Sequence, residues 1–402
     1  MIVAQVNALY GTGSTGKICR AIGERLAAEG DVSYILHVQE QPNTDNHISY
    51  ASPAYIRMQA VKSRLLGNYG FNGRAATKRL IAHLERIRPD VVHLHNMHSH
   101  NAHLTLLFRY LKKKKIKVVW TFHDCWTFTS YCPHFIMAKC DKWKTGCEHC
   151  PQYRKYSLLF DRSRMLYRRK KELLTGLDMT VVTPSRWLAD LVKQSFLKEH
   201  PVTVVHNGID LSVFHPMENS FREKYGIPPE KSILLGVTID WGIVRARKGL
   251  DVFLKLAETL DPDRYQIVLV GTGDEVDKDL PANIISIHRT QNAKELAEIY
   301  TASDLFVNPT REEVLGLVNL ESLACGTPVL TFQTGGCPEC IDETCGAVVP
   351  CEDVEALTRE IIRICETKPY SAEACVARAK RFDQYVKYEE YIELYRSVTA
   401  KP

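Results

Sequence analysis

Residues 305–331 read LFVNPTREEVLGLVNLESLACGTPVLT. A short apolar run over 305–308 leads into a polar loop and Gly316. An amphipathic stretch over 317–325 follows, and Gly326-Thr-Pro-Val opens a second apolar run over 328–331. Strand, helix and strand punctuated by Gly and Pro make a βαβ unit, whose two strands must run parallel. The same alternation extends in both directions. Strands are expected at residues 2–7, 33–38, 91–95, 117–122, 179–183 and 202–205, with helices at 16–29, 78–87 and 103–113. Beyond them come strands at 232–237, 266–270 and 284–288 and helices at 250–260 and 293–302. The fold class is therefore α/β with parallel sheets. A tyrosine stripe (Tyr385, Tyr388, Tyr391, Tyr395) at spacings of three and four marks a closing amphipathic helix over 382–398.

A chain of 402 residues suits two domains. Periodicity breaks off between 198 and 228, around Asn207-Gly208, which marks the hinge. Domains are expected at 1–205 and 206–378, with a terminal helix over 379–402. Charge divides similarly. Residues 1–200 hold 31 Lys and Arg against 15 Asp and Glu, and the remainder 21 against 32. A basic and an acidic half suggest different partners: nucleic acid, anionic lipid or a phosphorylated substrate for the first. No aromatic–basic nucleic-acid motif accompanies the charge, so nucleic acid is set aside. Composition, 45% hydrophobic and 25% charged, excludes a disordered or fibrous chain. Apolar runs fall far short of the roughly 20 residues a membrane helix needs. The opening Met-Ile-Val-Ala-Gln-Val reads as a strand rather than a signal peptide, so a cytoplasmic protein is expected.

Three places carry chemistry. Gly11-Thr-Gly13-Ser-Thr-Gly16-Lys17-Ile18 follows the first strand. Ile18 stands where a P-loop needs Ser or Thr for magnesium, which argues against an NTPase, yet glycines before a helix N-terminus still suit an anionic or hydroxyl-rich ligand. Two strands end in histidine, at His95-Asn96 and His123-Asp124, and strand carboxyl ends line ligand crevices in α/β sheets. His123 is the stronger candidate. In the 305–331 block, Glu313 precedes Gly316 and Glu321 lies one turn into the helix, beside an N-terminus suited to phosphate.

Together these features resemble the family-4 retaining glycosyltransferases of GT-B fold. The resemblance rests on the Gly-rich loop, His123, Val205-His-Asn207-Gly208-Ile-Asp210, Lys248-Gly249, Gly271-Thr-Gly273, the Glu313/Glu321 pair, and Thr334-Gly335-Gly336 with Pro338-Glu339, and it covers roughly residues 1–350. It implies two Rossmann-like domains facing across a cleft, with the terminal helix crossing back onto the first. It also implies a nucleotide-diphosphate-sugar donor on the acidic domain and a glycan or polyprenyl-pyrophosphate-linked acceptor on the basic one. Lys248 would neutralise the diphosphate, Glu321 would hold the ribose, and Glu313 with the backbone at Leu315–Leu317 would hold the sugar. Gly13, Gly16, Gly316 and Leu317 would line the donor site, and His123 would contact the donor sugar or acceptor near the anomeric carbon. No catalytic metal is implied. The sequence departs from the family where an arginine usually precedes the lysine, and Arg247 or Arg245 is left to supply that charge. The alternative is a non-catalytic nucleotide- or glycan-binding relative.

Five of the 13 cysteines fall in a lysine-containing insertion over 125–151, and four of them, Cys132, Cys140, Cys147 and Cys150, lie within 19 residues. Their number matches a structural zinc knot, with buried or reactive thiols and an iron–sulfur cluster as alternatives. The basic run Arg162–Lys171 beside it is a solvated helix face, or a surface for an anionic membrane at the inner face of the cell envelope.

Overall fold

The computed structural model describes residues 1–38, 43–98 and 100–400. One unit comprises residues 1–206 and the chain from 387 onward, the other Asn207–Val386. In the first, β1 (Ile2–Val6), β2 (Val32–His37), β3 (His47–Ser49), β4 (Val91–Leu94), β5 (Lys117–Thr121), β6 (Met179–Thr183) and β7 (Val202–Val204) form a parallel sheet ordered β3-β2-β1-β4-β5-β6-β7. In the second, β8 (Ser232–Val237), β9 (Tyr265–Val270), β10 (Ile284–Ile287), β11 (Leu305–Asn308), β12 (Val329–Phe332) and β13 (Gly346–Val349) are ordered β10-β9-β8-β11-β12-β13, again parallel. The central strands are buried throughout, as strands covered by helices on both faces must be.

The expected strands form within a residue or two of their expected ends. Sequence reading missed β3 and β13, which at three and four residues are too short to show a pattern. It also missed the helices Pro53–Leu66 and Trp241–Lys248. Gly208 answers to packing. Ile209 and Phe382–Gln384 bond backbone to backbone, and a Cβ on Gly208 would press into the backbone of Gln384.

The closing helix, Gln384–Thr399, buries Tyr388, Tyr391, Ile392 and Tyr395 against Val3, Ile18, Ile22, Val91, Val119 and Val182 of the first unit. Tyr385 is exposed instead and does not continue the stripe.

The insertion, lysine-containing as it is, buries Trp126, Phe128, Tyr131, Phe135 and Trp143. The Trp143 ring packs at a tilt 5.3 Å from Phe128 and 5.1 Å from Phe135. The basic run is likewise not wholly a solvated face. Lys170, in the helix Ser163–Leu174, is fully buried. Its Nζ donates to the carbonyls of Trp126 (2.7 Å), Thr129 (3.0 Å) and Ser130 (3.3 Å). It sits 3.4 Å over the Trp126 ring, so a cation–π contact and three hydrogen bonds fasten the insertion to that helix.

Candidate functional site

Each sheet reverses its strand order once, between β1 and β4 and between β8 and β11. Loops leaving neighbouring carboxyl ends diverge at such a point and leave room for a ligand. The candidate residues gather at these two places.

In the second unit, β8 leads through a turn into the helix Trp241–Lys248, whose N-terminus Asp240 caps by accepting from the Ile243 N–H at 3.0 Å. Its last residue, Lys248, donates to Glu313 Oε2 at 2.5 Å, and Glu313 Oε1 accepts from the Val314 N–H at 3.0 Å. Burial works to raise the Glu313 carboxyl. Charge and hydrogen bond from Lys248, the Val314 N–H and Arg247 outweigh it and hold the group below its ordinary value. Gly316, at φ 86°, caps the helix Leu317–Ala324, a left-handed conformation glycine adopts without strain. Glu321 follows in that helix and accepts from the fully buried Tyr300 hydroxyl at 3.2 Å. Beside Gly316, Asn319 accepts from Asn308 Nδ2 at 2.8 Å, while its own buried Nδ2 has no hydrogen-bond partner. Lys248, Glu313, Gly316, Leu317 and Glu321 thus share one end of one sheet.

The two arginines offered for the missing charge separate. Arg245 pairs with Asp279 at 2.7 Å. Arg247 lies at the Glu313 loop, its Nη1 3.4 Å from the Glu312 carbonyl. Sequence reading passed over Arg311. Its guanidinium takes both Asp251 oxygens at 2.8 and 2.7 Å, Glu352 at 3.1 Å and the Ala246 carbonyl at 2.6 Å. The Arg311 N–H also donates to the Arg247 carbonyl at 2.8 Å. Arg311 therefore fixes the end of the helix that presents Arg247 and Lys248. Its place directly before Glu312-Glu313 was the available signal.

In the first unit, Gly13 opens the helix Gly13–Ala28, three residues earlier than expected. The Gly11 N–H donates to the Gly16 carbonyl at 3.0 Å, and a Cβ on Gly16 would crowd Gly11 and Leu9. Past β4 and β5, His95 Nδ1 lies 3.0 Å from His123 Nε2. Gln5 on β1 sets the protons. Its Nε2 donates to the Cys19 carbonyl (2.9 Å) and Ser33 Oγ (3.0 Å), so its Oε1 is what meets His95 Nε2 at 3.3 Å. An amide oxygen only accepts, so His95 carries its proton on Nε2. Burial and neighbouring imidazoles push His95 well below its ordinary value, leaving it neutral with a bare Nδ1. His123 must then donate its Nε2–H. Burial, opposed by Asp124 and assisted by His98, lowers His123 to about 4, so its Nδ1 is a bare acceptor. Burial would raise Asp124, but His98 at 2.8 Å and the Trp126 N–H at 2.8 Å bring it down to about 2.

Cys132, Cys140, Cys147 and Cys150 line one small cavity with Trp143 and Lys142 as free thiols. Among the described residues, however, no group of three or more His, Cys, Asp or Glu side chains is arranged to hold a metal ion. The zinc expectation has no support here, and the aromatic cluster supplies the cohesion that the metal was expected to give.

Two family models match, one described as Glycosyltransferase Family 4 over residues 16–213 and one as Glycosyl transferases group 1 over 241–367. An Escherichia coli (strain K12) protein, WcaC, named for a glycosyl transferase of colanic acid biosynthesis, is 24% identical over 87% of this chain and 81% of its own. Among solved structures, a sucrose-phosphate synthase from Thermosynechococcus elongatus superposes with a TM-score of 0.70 at 18% identity, covering 99% of this chain and 98% of that one. An Anabaena HepE in complex with UDP gives 0.67 at 14%, covering 98% and 99%. Both structures share the fold.

Proposed function

The chain belongs to glycosyltransferase family 4, the group-1 transferases of GT-B fold, and from that premise we propose that it moves a sugar from a nucleotide-diphosphate sugar to a glycan or polyprenyl-pyrophosphate-linked acceptor in surface-polysaccharide assembly. The observation that carries this reading is the cluster of Lys248, Glu313, Gly316 and Glu321 at the second sheet's switch point. A diphosphate entering there meets the Lys248 ammonium, the Arg247 guanidinium and the first N–H groups of the helix Leu317–Ala324, all donors that strengthen as leaving-group charge develops. As the diphosphate takes over Lys248, Glu313 is released to accept hydroxyls of the sugar. Glu321, oriented by Tyr300, is left to take the ribose hydroxyls. Transfer proceeds with retention. The acceptor oxygen bonds to the anomeric carbon on the face that the phosphate leaves, and the acceptor proton passes to the departing diphosphate. No catalytic metal takes part, in keeping with the family. His123, uncharged and with a bare Nδ1, accepts from a hydroxyl of the donor sugar. The named role of the E. coli relative favours an envelope polysaccharide as the product.

The reading is tested by incubating the full chain with UDP-, GDP- and ADP-sugars and a polyprenyl-pyrophosphate glycan, and following nucleoside diphosphate release. One donor should be consumed, with the anomeric configuration kept in the product. The Lys248→Ala variant should be slower by about a hundredfold or more. Tight nucleotide binding with no release from any donor would instead support the non-catalytic relative.

A further inference from the structure

The helix Pro53–Leu66 is amphipathic the wrong way round for a helix packed on a core. It buries Gln59 and Ser63, and exposes Met58, Val61, Leu65 and Leu66. Gln59 is used inward, its Oε1 accepting from the Gly73 N–H at 3.2 Å. Met58, Val61 and Leu65 stand at spacings of three and four, one outward stripe. A second exposed apolar group, Leu158-Leu159-Phe160, lies against this helix's end. The Leu158 N–H donates to the Arg64 carbonyl at 2.7 Å, and Arg64 reaches the Lys155 carbonyl. Gly67, at φ 64°, permits the approach, since a Cβ there would collide with Ser157 and Phe160. Val61 is 60% exposed and Leu159 62%, and the two adjoining groups together hold seven large exposed apolar side chains. Such a patch marks an interaction surface.

Charge identifies the occupant. Arg57, Lys62 and Arg64 flank the stripe, Arg154 and Lys155 precede the loop, and Arg162 stacks 5.3 Å from the Phe160 ring. Residues 53–66 and 152–160 contain no acid. Asp161, exposed just beyond the loop, is engaged by the Cys150 and Ser163 N–H groups at 2.8 and 2.9 Å. We propose that this face docks on an anionic lipid bilayer, the apolar stripe entering the headgroup boundary while the basic side chains meet lipid phosphates. A second copy is the poorer occupant, because two-fold pairing would press each basic rim against itself. The basic run Arg162–Lys171 supplies charge at most, since its apolar residues face inward. Docking here deepens the reading of a lipid-linked acceptor, but it is measured without turnover, so its failure leaves the transferase reading standing.

The test is cosedimentation of the full chain with vesicles of phosphatidylcholine alone or with about one third phosphatidylglycerol. The wild type should sediment with the anionic vesicles, weakly with the neutral ones, and less as salt rises. The double variants Val61→Glu/Leu65→Glu and Leu159→Glu/Phe160→Glu alter exposed side chains only. Each should keep its circular dichroism and nucleotide affinity while vesicle affinity falls at least about tenfold. No sedimentation with anionic vesicles at low salt, or equal sedimentation of folded variants, would overturn the proposal. So would a wild-type dimer that the same variants split, which would make the occupant a second copy.

Discussion

His123 presents a lone pair because Gln5, two residues away in the hydrogen-bond chain, has nowhere else to put its amide oxygen. The order Gln5, His95, His123 fixes a tautomer as well as a position, which a single strand-end histidine could not do for itself. Ring-nitrogen NMR of histidine-labelled protein should find both imidazoles neutral and protonated on Nε2, and a proton on His123 Nδ1 would refute the chain. The His95→Phe variant removes the acceptor for His123 and should lower kcat at least about tenfold with donor KM nearly unchanged, while His95→Asn, with an oxygen near the Nδ1 position, should recover part of the loss. Equal kcat in wild type and His123→Ala would return His123 to a structural role. With His123 at about 4, kcat should show no inflection from that residue near pH 6.5. Stability behaves differently. His93, His95 and His123 are all depressed in the folded state, so the unfolded chain binds more protons once the pH falls below their unfolded value of about 6.5. The melting temperature should hold at neutral pH and decline between about 6.5 and 4, and a flat profile there would contradict the assignment. In the proposed donor site, Arg311 acts at one remove. The Arg311→Leu variant loses the anchor on Asp251 and the Ala246 carbonyl, and should weaken nucleotide binding about tenfold without abolishing it. Unchanged affinity by calorimetry would show that the Lys248 helix holds itself in place.

Among the elements, the closing helix shows how far a sequence pattern can be trusted. Tyr388, Tyr391 and Tyr395 are legible as a stripe, and they are buried because the first unit offers an apolar face of Val3, Ile22 and Val119. Tyr395 also meets His93 Nδ1 at 2.6 Å, and Tyr391 meets Thr121 Oγ1 at 3.0 Å. The Tyr391→Ala variant combines a cavity with a stranded hydroxyl and should cost roughly 3–5 kcal/mol in urea unfolding of the full chain. A loss below about 1 kcal/mol would show the helix to be an ornament. The insertion was read less well. The number of its cysteines suggested a metal, whereas its cohesion comes from Trp126, Phe128, Phe135 and Trp143, whose scattered spacing carries no period to detect. Lys170 was equally opaque, since nothing in a run of bases tells which one turns inward to three carbonyls. The helix Pro53–Leu66 escaped notice for a related reason: its apolar stripe faces outward, so no inward face announces it.

For the molecule as a whole, alternation of strands and helices was enough to read two parallel sheets, and Glu313, Gly316, Glu321 and Lys248 were legible as candidates for the donor site proposed above. What sequence could not reveal is that these residues, 65 apart for Lys248 and Glu313, meet because β8 and β11 are neighbours at a switch point. Nor could it choose Arg247 over Arg245, which depends on Asp279 engaging the latter. Residues of the first unit are placed by the same logic at the other switch point, with β1, β4 and β5 side by side. The central claim is that the second unit holds a nucleotide diphosphate through Lys248 and Glu321. Titration calorimetry of UDP, GDP and ADP into the wild type and the Lys248→Ala and Glu321→Ala variants measures it directly. One nucleotide should bind the wild type, and each variant, with unchanged circular dichroism, should bind it at least about tenfold more weakly. Wild-type affinity in both folded variants would contradict the account.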